Sequence, residues 1–342
     1  VSVIPYFSDG LTDTYDVLII FDTPVIRKKT LRDIDLHIQS GKGAIIMLDP
    51  FQRMNSANAA LSVKPSKNGQ INSINDLLEF YGLNFSNSKV VGDFKNAATV
   101  ESATGRNFSY PYWLQIKDKN ISREHIVSDK LQKLLFAEAG FFEISKKNIK
   151  AQPIVFTSDE TNFLYKRDVH EKSTETLATE FQITNKIRKV IALHLSGQLD
   201  SPYTQTKSEM TRPTSSVFAI ADSDWIYNGF SLADARMGDR VFSRPINDNH
   251  TLFLNMVEHI AGDPNLTNIR SRESPIRTFT TIEEMLLESR KAYHKREADY
   301  ASRINNTEAS ITKVLEMSGA KNIEELPLAL REHLTFNFFF LI

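Results

Sequence analysis

Residues 15–50 read YDVLIIFDTPVIRKKTLRDIDLHIQSGKGAIIMLDP. Val17–Phe21 is an apolar run ending in Asp22-Thr23-Pro24, and Ala44–Leu48 is a second, ending in Asp49-Pro50. Between them Leu31, Ile34 and Ile38 recur at helical spacing. Thr30 is placed to cap that helix with Asp33 three residues on, and Gly41 to end it in the left-handed conformation. Strand, helix and strand in this order predict a βαβ unit. Neither strand alternates with polar residues, so both are expected to be covered on both faces, as in a parallel sheet flanked by helices. The segments downstream are read as further strands of the same sheet.

The chain has 342 residues, 41% hydrophobic and 24% charged, enough to bury a large core in one or two domains. Its formal net charge is −1, which gives no basic excess to neutralise phosphates, so nucleic acid is not an expected partner. There is no cysteine. That excludes disulfides, thiolate metal sites and a cysteine nucleophile together. The first residue is Val1, and no window reaches the ~20 apolar residues of a membrane span. The tail Phe338-Phe339-Phe340-Leu341-Ile342 fits either docking onto the domain or the start of a membrane helix.

Outward from the opening unit, residues 51–70 are polar and turn-rich and read as a long loop. Ser73 opens a helix with Ile74, Leu77, Leu78 and Tyr81 inward and Gly82 as its stop. Lys89–Gly92 is a short strand, residues 93–110 are irregular, and Tyr110–Leu114 is an aromatic cluster. Ser128 is read as the cap of a helix with Leu131, Leu134 and Leu135 inward and Gly140 at its end. Phe141–Ile144 and Pro153–Thr157 are strands joined by a basic turn, and 158–182 is a polar excursion. Lys189–Ser196 and Ser216–Ala221 are the last strong strands. Asp248 or Asn249 caps a helix that buries Leu252, Phe253, Met256, Val257 and Ile260, closed by Gly262-Asp263-Pro264. From 281 to 334 the chain is rich in Glu, Lys, Arg and Ala with apolar residues three to four apart, which predicts one or two long helices with breaks at Ser318-Gly319 and Pro327. The domain reading is an α/β domain over 1–277, with 93–215 as a candidate inserted or second lobe, and a helical, coiled-coil-like segment over 278–342.

Three apolar strands end in acid, at Asp22, Asp49 and Asp222, with Asp224 and Trp225 close behind. In open parallel sheets the crevice lies beyond the carboxyl ends of the strands, so these five residues mark the expected ligand or partner surface. Carboxylates there can hold a cation or transfer protons. The plainer role is to fix turns and cap helices. Gly41-Lys42-Gly43 is not a phosphate loop, because its glycines close a helix and precede a strand, and no G-x-x-x-x-G-K-[ST] occurs. The histidines are scattered. His194 lies on a strand opposite the face of Ile191, Leu193 and Leu195, and His37 and His259 lie on helices. With no H-E-x-x-H they read as structural, and no metal or cofactor is expected. No G-x-S-x-G elbow supports a serine hydrolase.

Seven segments in order carry a family resemblance: YDVLII; LRDIDLHIQSGKGAIIMLDPF; INDLLEFYGLNFSNSKVVGD; YPYWLQI; KVIALHLSGQLDSPY; FAIADSDWIYN; NHTLFLNMVEHIAGDPNLTNIRSR. Together they span most of Tyr15 to Arg272, and the order and spacing of the set carry the likeness. The chain resembles the auxiliary extracytoplasmic component of ABC-type transport systems associated with gliding motility. The resemblance implies a mostly parallel α/β core similar to the flavodoxin-like and class I glutamine amidotransferase folds. It also implies flanking membrane helices, partnership with an ABC permease and ATPase, and a place outside the cytoplasmic membrane. The amidotransferase relatives use a cysteine nucleophile that this chain lacks, so no catalytic residue carries over. The reading is therefore a non-enzymatic binding domain. The alternatives are a metal-assisted hydrolase or sugar-active enzyme using Asp22, Asp49, Asp222 and Asp224, and a scaffold that self-associates through 281–334.

Overall fold

The structure, a computed structural model, describes all residues except 6, 12, 23–25, 55–70, 103, 146–148, 204–212, 238–239, 263–279, 321, 323–324 and 328–342. The turn at Thr23-Pro24, most of the 51–70 loop, the Asp263-Pro264 stop and the apolar tail lie outside the described residues. The chain divides into two compact units, Val1–Pro275 and Ile276–Ile342.

The opening stretch folds as a βαβ unit. β1 (Val17–Ile20) and β2 (Gly43–Met47) pair in parallel, Val17 opposite Gly43 and Ile20 opposite Ile46, with α1 (Lys28–Gln39) between them. Leu31, Ile34 and Ile38 are buried, as their spacing requires. Gly41 closes the helix region at φ +85°, a conformation costly for any residue with a Cβ. Gly43 has a different reason: a Cβ there would lie 2.2 Å from Ile260 Cγ2. One expectation fails. The helix starts after Arg27, with no side-chain cap, and Thr30 lies inside it. Thr30 Oγ1 accepts from Gly10 N–H (3.0 Å) and donates to Ser8 C=O (2.6 Å), while Asp33 Oδ2 accepts from Leu11 N–H. Residues that look like a capping box instead tie down the segment before β1.

The elements that follow are α2 (Ile74–Tyr81), β3 (Leu83–Phe85), β4 (Lys89–Asp93), β5 (Ala97–Glu101), β6 (Asn107–Lys117), β7 (Lys133–Ala137), β8 (Phe142–Ile144), β9 (Lys150–Phe156) and β10 (Thr161–Tyr165). After them come α3 (Lys166–Glu171), α4 (Thr174–Thr179), β11 (Val190–Gly197), β12 (Ser215–Ile220), α5 (Asn228–Ser231), β13 (Leu232–Met237), β14 (Arg240–Pro245) and α6 (Asn249–Ala261). α7 (Thr280–Ser318) belongs to the second unit, and Gly319 follows it at φ +68°. Among the described residues no helix is long and apolar enough to cross a membrane.

The central sheet has seven strands in the order β1-β2-β12-β11-β8-β3, with β9 also pairing β11. β12 lies parallel to β2, but β11 runs antiparallel to β12, β9 and β8, and β3 antiparallel to β8. The sheet is mixed, so the expectation of a mostly parallel, flavodoxin-like sheet holds only for β1, β2 and β12. An unbroken apolar run such as VIALHL announces burial on both faces and says nothing of direction. The remaining strands do not extend this sheet: β4 pairs β10, β5-β6-β7 form a three-stranded sheet, and β13 pairs β14. The expected helix after Ser128 is β7, in which Leu134 and Phe136 are buried alternately. Residues 93–110, read as irregular, supply β5 and the start of β6.

α1 and α2 cover one face of the central sheet, where Leu31, Ile38 and Leu77 meet Ile46, Val217 and Leu193. The other face packs Ile45, Met47 and Phe218 against Leu252 and Met256 of α6 and against Leu114 and Phe136 of the three-stranded sheet. Asp248 and Asn249 join the two. Asp248 Oδ2 accepts from Gln132 and Lys133 N–H, and Asn249 exchanges hydrogen bonds with Leu135 N–H and C=O. The helix-capping residues read from the sequence thus fasten α6 to β7.

Candidate functional site

The first cluster lies beyond the carboxyl ends of β1, β2 and β12. The structure brings the four acids to one edge and gives each a backbone to hold. Asp22 Oδ2 accepts from Asp49 N–H (3.3 Å). Asp49 accepts from Phe51 N–H and from both Ser223 N–H and Oγ–H (2.8–2.9 Å). Asp222 accepts from Ala137, Asp224 and Trp225 N–H (2.7–3.0 Å). Asp224 Oδ2 accepts from Arg53 and Met54 N–H. Asp49, Asp222 and Asp224 are buried. Trp225 is wholly buried too, stacked on Phe136 with its indole N–H directed at Met47 Sδ, so it supports the edge and cannot meet a partner.

Burial raises all four carboxyls above their ordinary range, Asp22 to about 6 and Asp49 to about 7, against the pull of the N–H donors. For Asp49 and Asp222 the neighbouring acids push in the same direction.

A fifth carboxylate completes the edge, and sequence reading passed over it. Glu138 has no exposed surface and sits at φ +50°, the one non-glycine residue with positive φ among those described. A glutamate in that region is strained. Its carboxylate receives Arg53 Nε at 2.7 Å, Arg53 Nη2 and Tyr110 Oη–H at 3.1 Å. Arg53 keeps 31% of its side chain in solvent. On the segments of the same edge Phe21, Met54 and Tyr227, which follow β1, β2 and β12 in turn, are 49%, 44% and 48% exposed. The loop after β11 does not join this edge, because β11 runs the other way.

The second cluster lies at the opposite end of these strands. His125 stands in the turn before β7, His194 on β11 and His259 in the last turn of α6, beside Ile260, which covers the start of β2. Their ring nitrogens lie within 4.8 Å of one another, the one such set among the described residues. The acids at the other end form no such set. Val127 N–H points at His125 Nδ1 (3.3 Å), which leaves the proton on Nε2 to be donated to His194 Nδ1 at 2.9 Å; His194 Nε2–H then donates to Ser216 Oγ at 2.9 Å. Phe218 lies flat on His194, with ring centroids 4.4 Å apart. Burial depresses all three imidazoles, His125 to about 4 and His194 to about 3, so they are neutral at pH 7. His37 stands apart and bonds Gly43 C=O. His125 and His194 are 69 residues apart in sequence, so no local spacing announces the set.

The model of a family described as an ABC-type uncharacterized transport system matches residues 1–256, the α/β unit almost entire. The chain belongs to that family. No curated protein and no solved structure matched it. Membership makes the chain an auxiliary component of an ABC-type transport system and assigns no residue a role.

Proposed function

We propose that this auxiliary component recognises a ligand or partner protein at the carboxyl-terminal edge of β1, β2 and β12, and that it does so without catalysis. One observation carries the reading: at that edge the carboxylates of Asp22, Asp49, Asp222, Asp224 and Glu138 are each held by donors of the protein itself, while the described groups that face solvent include Arg53, Phe21, Met54 and Tyr227. Acids tied up by backbone N–H groups are poor ligands for a cation and poorly placed as nucleophiles, which counts against a hydrolase. Exposed aromatic, Met and Arg side chains on one edge are the composition of a protein-contact surface.

The partners proposed are the permease and ATPase of the ABC system, the setting one of gliding-motility type, and the location outside the cytoplasmic membrane, anchored to it by helices flanking this chain. In α7, Tyr293, Tyr300 and Ile304 are exposed at heptad-like spacing, a stripe suited to a partner helix or a second copy.

Cross-linking the tagged full-length protein in its own cells, followed by identification of what is captured, tests this. Permease and ATPase subunits are expected, with recovery cut at least tenfold by Phe21→Asp together with Tyr227→Asp. Capture of neither subunit, or capture unaffected by the double substitution, overturns the reading.

A further inference from the structure

We propose that His125, His194 and His259 form a binding site for a first-row transition-metal ion of the Zn²⁺ class. Three imidazoles from three elements far apart in sequence converge, with ring nitrogens within 4.8 Å of one another. Two ligands of a tetrahedral ion with metal–nitrogen bonds of ~2.1 Å stand about 3.4 Å apart. The 2.9 Å between His125 Nε2 and His194 Nδ1 and the 4.8 Å limit of the set bracket that spacing. Opening the 2.9 Å contact by about 0.5 Å and turning the rings would bring one nitrogen of each onto a single ion.

The chemistry favours a borderline cation. All the donors are neutral imidazole nitrogens, which suit Zn²⁺, Cu²⁺, Ni²⁺ or Co²⁺ and not Mg²⁺ or Ca²⁺, which want oxygen. The proton balance closes within the site. The ion takes the place of the proton that His125 Nε2 shares with His194 Nδ1, and that proton moves to His125 Nδ1 in exchange for the 3.3 Å contact with Val127 N–H. The outer contact of His194 is already made, since its Nε2–H donates to Ser216 Oγ, the arrangement that fixes the tautomer of a ligating histidine. His259 is only partly buried and offers the route of entry. Bound there, the ion would tie the turn before β7, the strand β11 and the end of α6 together.

The test is a calorimetric titration of the EDTA-stripped, tag-free full chain with Zn²⁺. One ion per chain at micromolar affinity or tighter is expected, with His259→Gln and His194→Gln each weakening it about 100-fold, and Mg²⁺ showing no binding at the same concentrations. Circular dichroism of the metal-free variants checks that they fold. Should either fail, Co²⁺ added to the unaltered protein decides the matter, because coordination by three nitrogens gives visible absorption bands that Zn²⁺ abolishes. Absence of those bands, equal binding by folded variants and parent, or Mg²⁺ binding as tight as Zn²⁺ overturns the proposal and leaves His125 and His194 as a hydrogen-bonded pair with His259 packed against them.

Discussion

The two ends of the strands β1, β2 and β12 both bury titratable side chains, and they keep them in different ways. At the carboxyl end the acids are surrounded by donors: Asp222 alone takes three backbone N–H groups, and Glu138 takes a guanidinium and a phenol. At the amino end His125 and His194 bond each other and Ser216, with no opposite charge among these hydrogen-bond partners. One end fixes loops, and the other holds lone pairs close together. The contrast teaches that a cluster of acids at strand ends marks a structural edge when the backbone has already claimed its oxygens.

The largest expected effect lies at the acid end. Arg53→Ala removes both guanidinium bonds to the fully buried Glu138 and should cost about 3 kcal/mol in urea unfolding, because it leaves a buried charge with only Tyr110. Arg53→Lys should recover less than half, since an ammonium cannot make the paired contact. A loss under ~1 kcal/mol for the alanine variant would erase the distinction between the ends.

Next in size is the response to pH, where the ends oppose each other. Asp49, with its folded pKa raised to about 7, binds more protons folded than unfolded above pH 4, so its contribution to stability falls as pH rises from about 4 to about 7. His194, lowered to about 3, binds fewer protons folded, so its contribution grows as pH rises from about 3 to about 6.5. In metal-free buffer the stability of Asp49→Asn relative to the parent should therefore climb from pH 4 to 6.5, and that of His194→Gln relative to the parent should decline over the same range. Each difference should change by on the order of 2–3 kcal/mol across this window, in opposite directions, read from urea midpoints at each pH. Superimposable profiles would refute the assignment.

The smallest effect belongs to the neutral end. Ser216→Ala removes the acceptor of His194 Nε2–H, a neutral bond, and should cost only about 1 kcal/mol by thermal unfolding.

The βαβ opening was legible because local signals agreed there: two buried runs, a helical stripe and a glycine at positive φ. Ser73 and Gly82 frame α2 for the same reason. What sequence concealed was pairing. The direction of β11 depends on a partner rather than on its own residues, and Leu131, Leu134 and Leu135 fit a helical stripe although the strand that forms buries Leu134 and Phe136. The acids were visible as residues that end strands, but their engagement was not, since it depends on Ala137, Ser223 and the backbone of Arg53 folding over them. Glu138 gave no sign, because a left-handed glutamate looks like any other in a string of letters. The histidine set is assembled only by tertiary structure.

β2 and β12 lie side by side, yet Asp49 and Ser223, which bond across their ends, are separated by 174 residues. On the ribosome the inner edge of β2 must therefore wait, unpaired and wholly apolar, until about 170 further residues have been made. That exposed edge invites pairing with other nascent copies, and makes early engagement by a chaperone a condition for high yield.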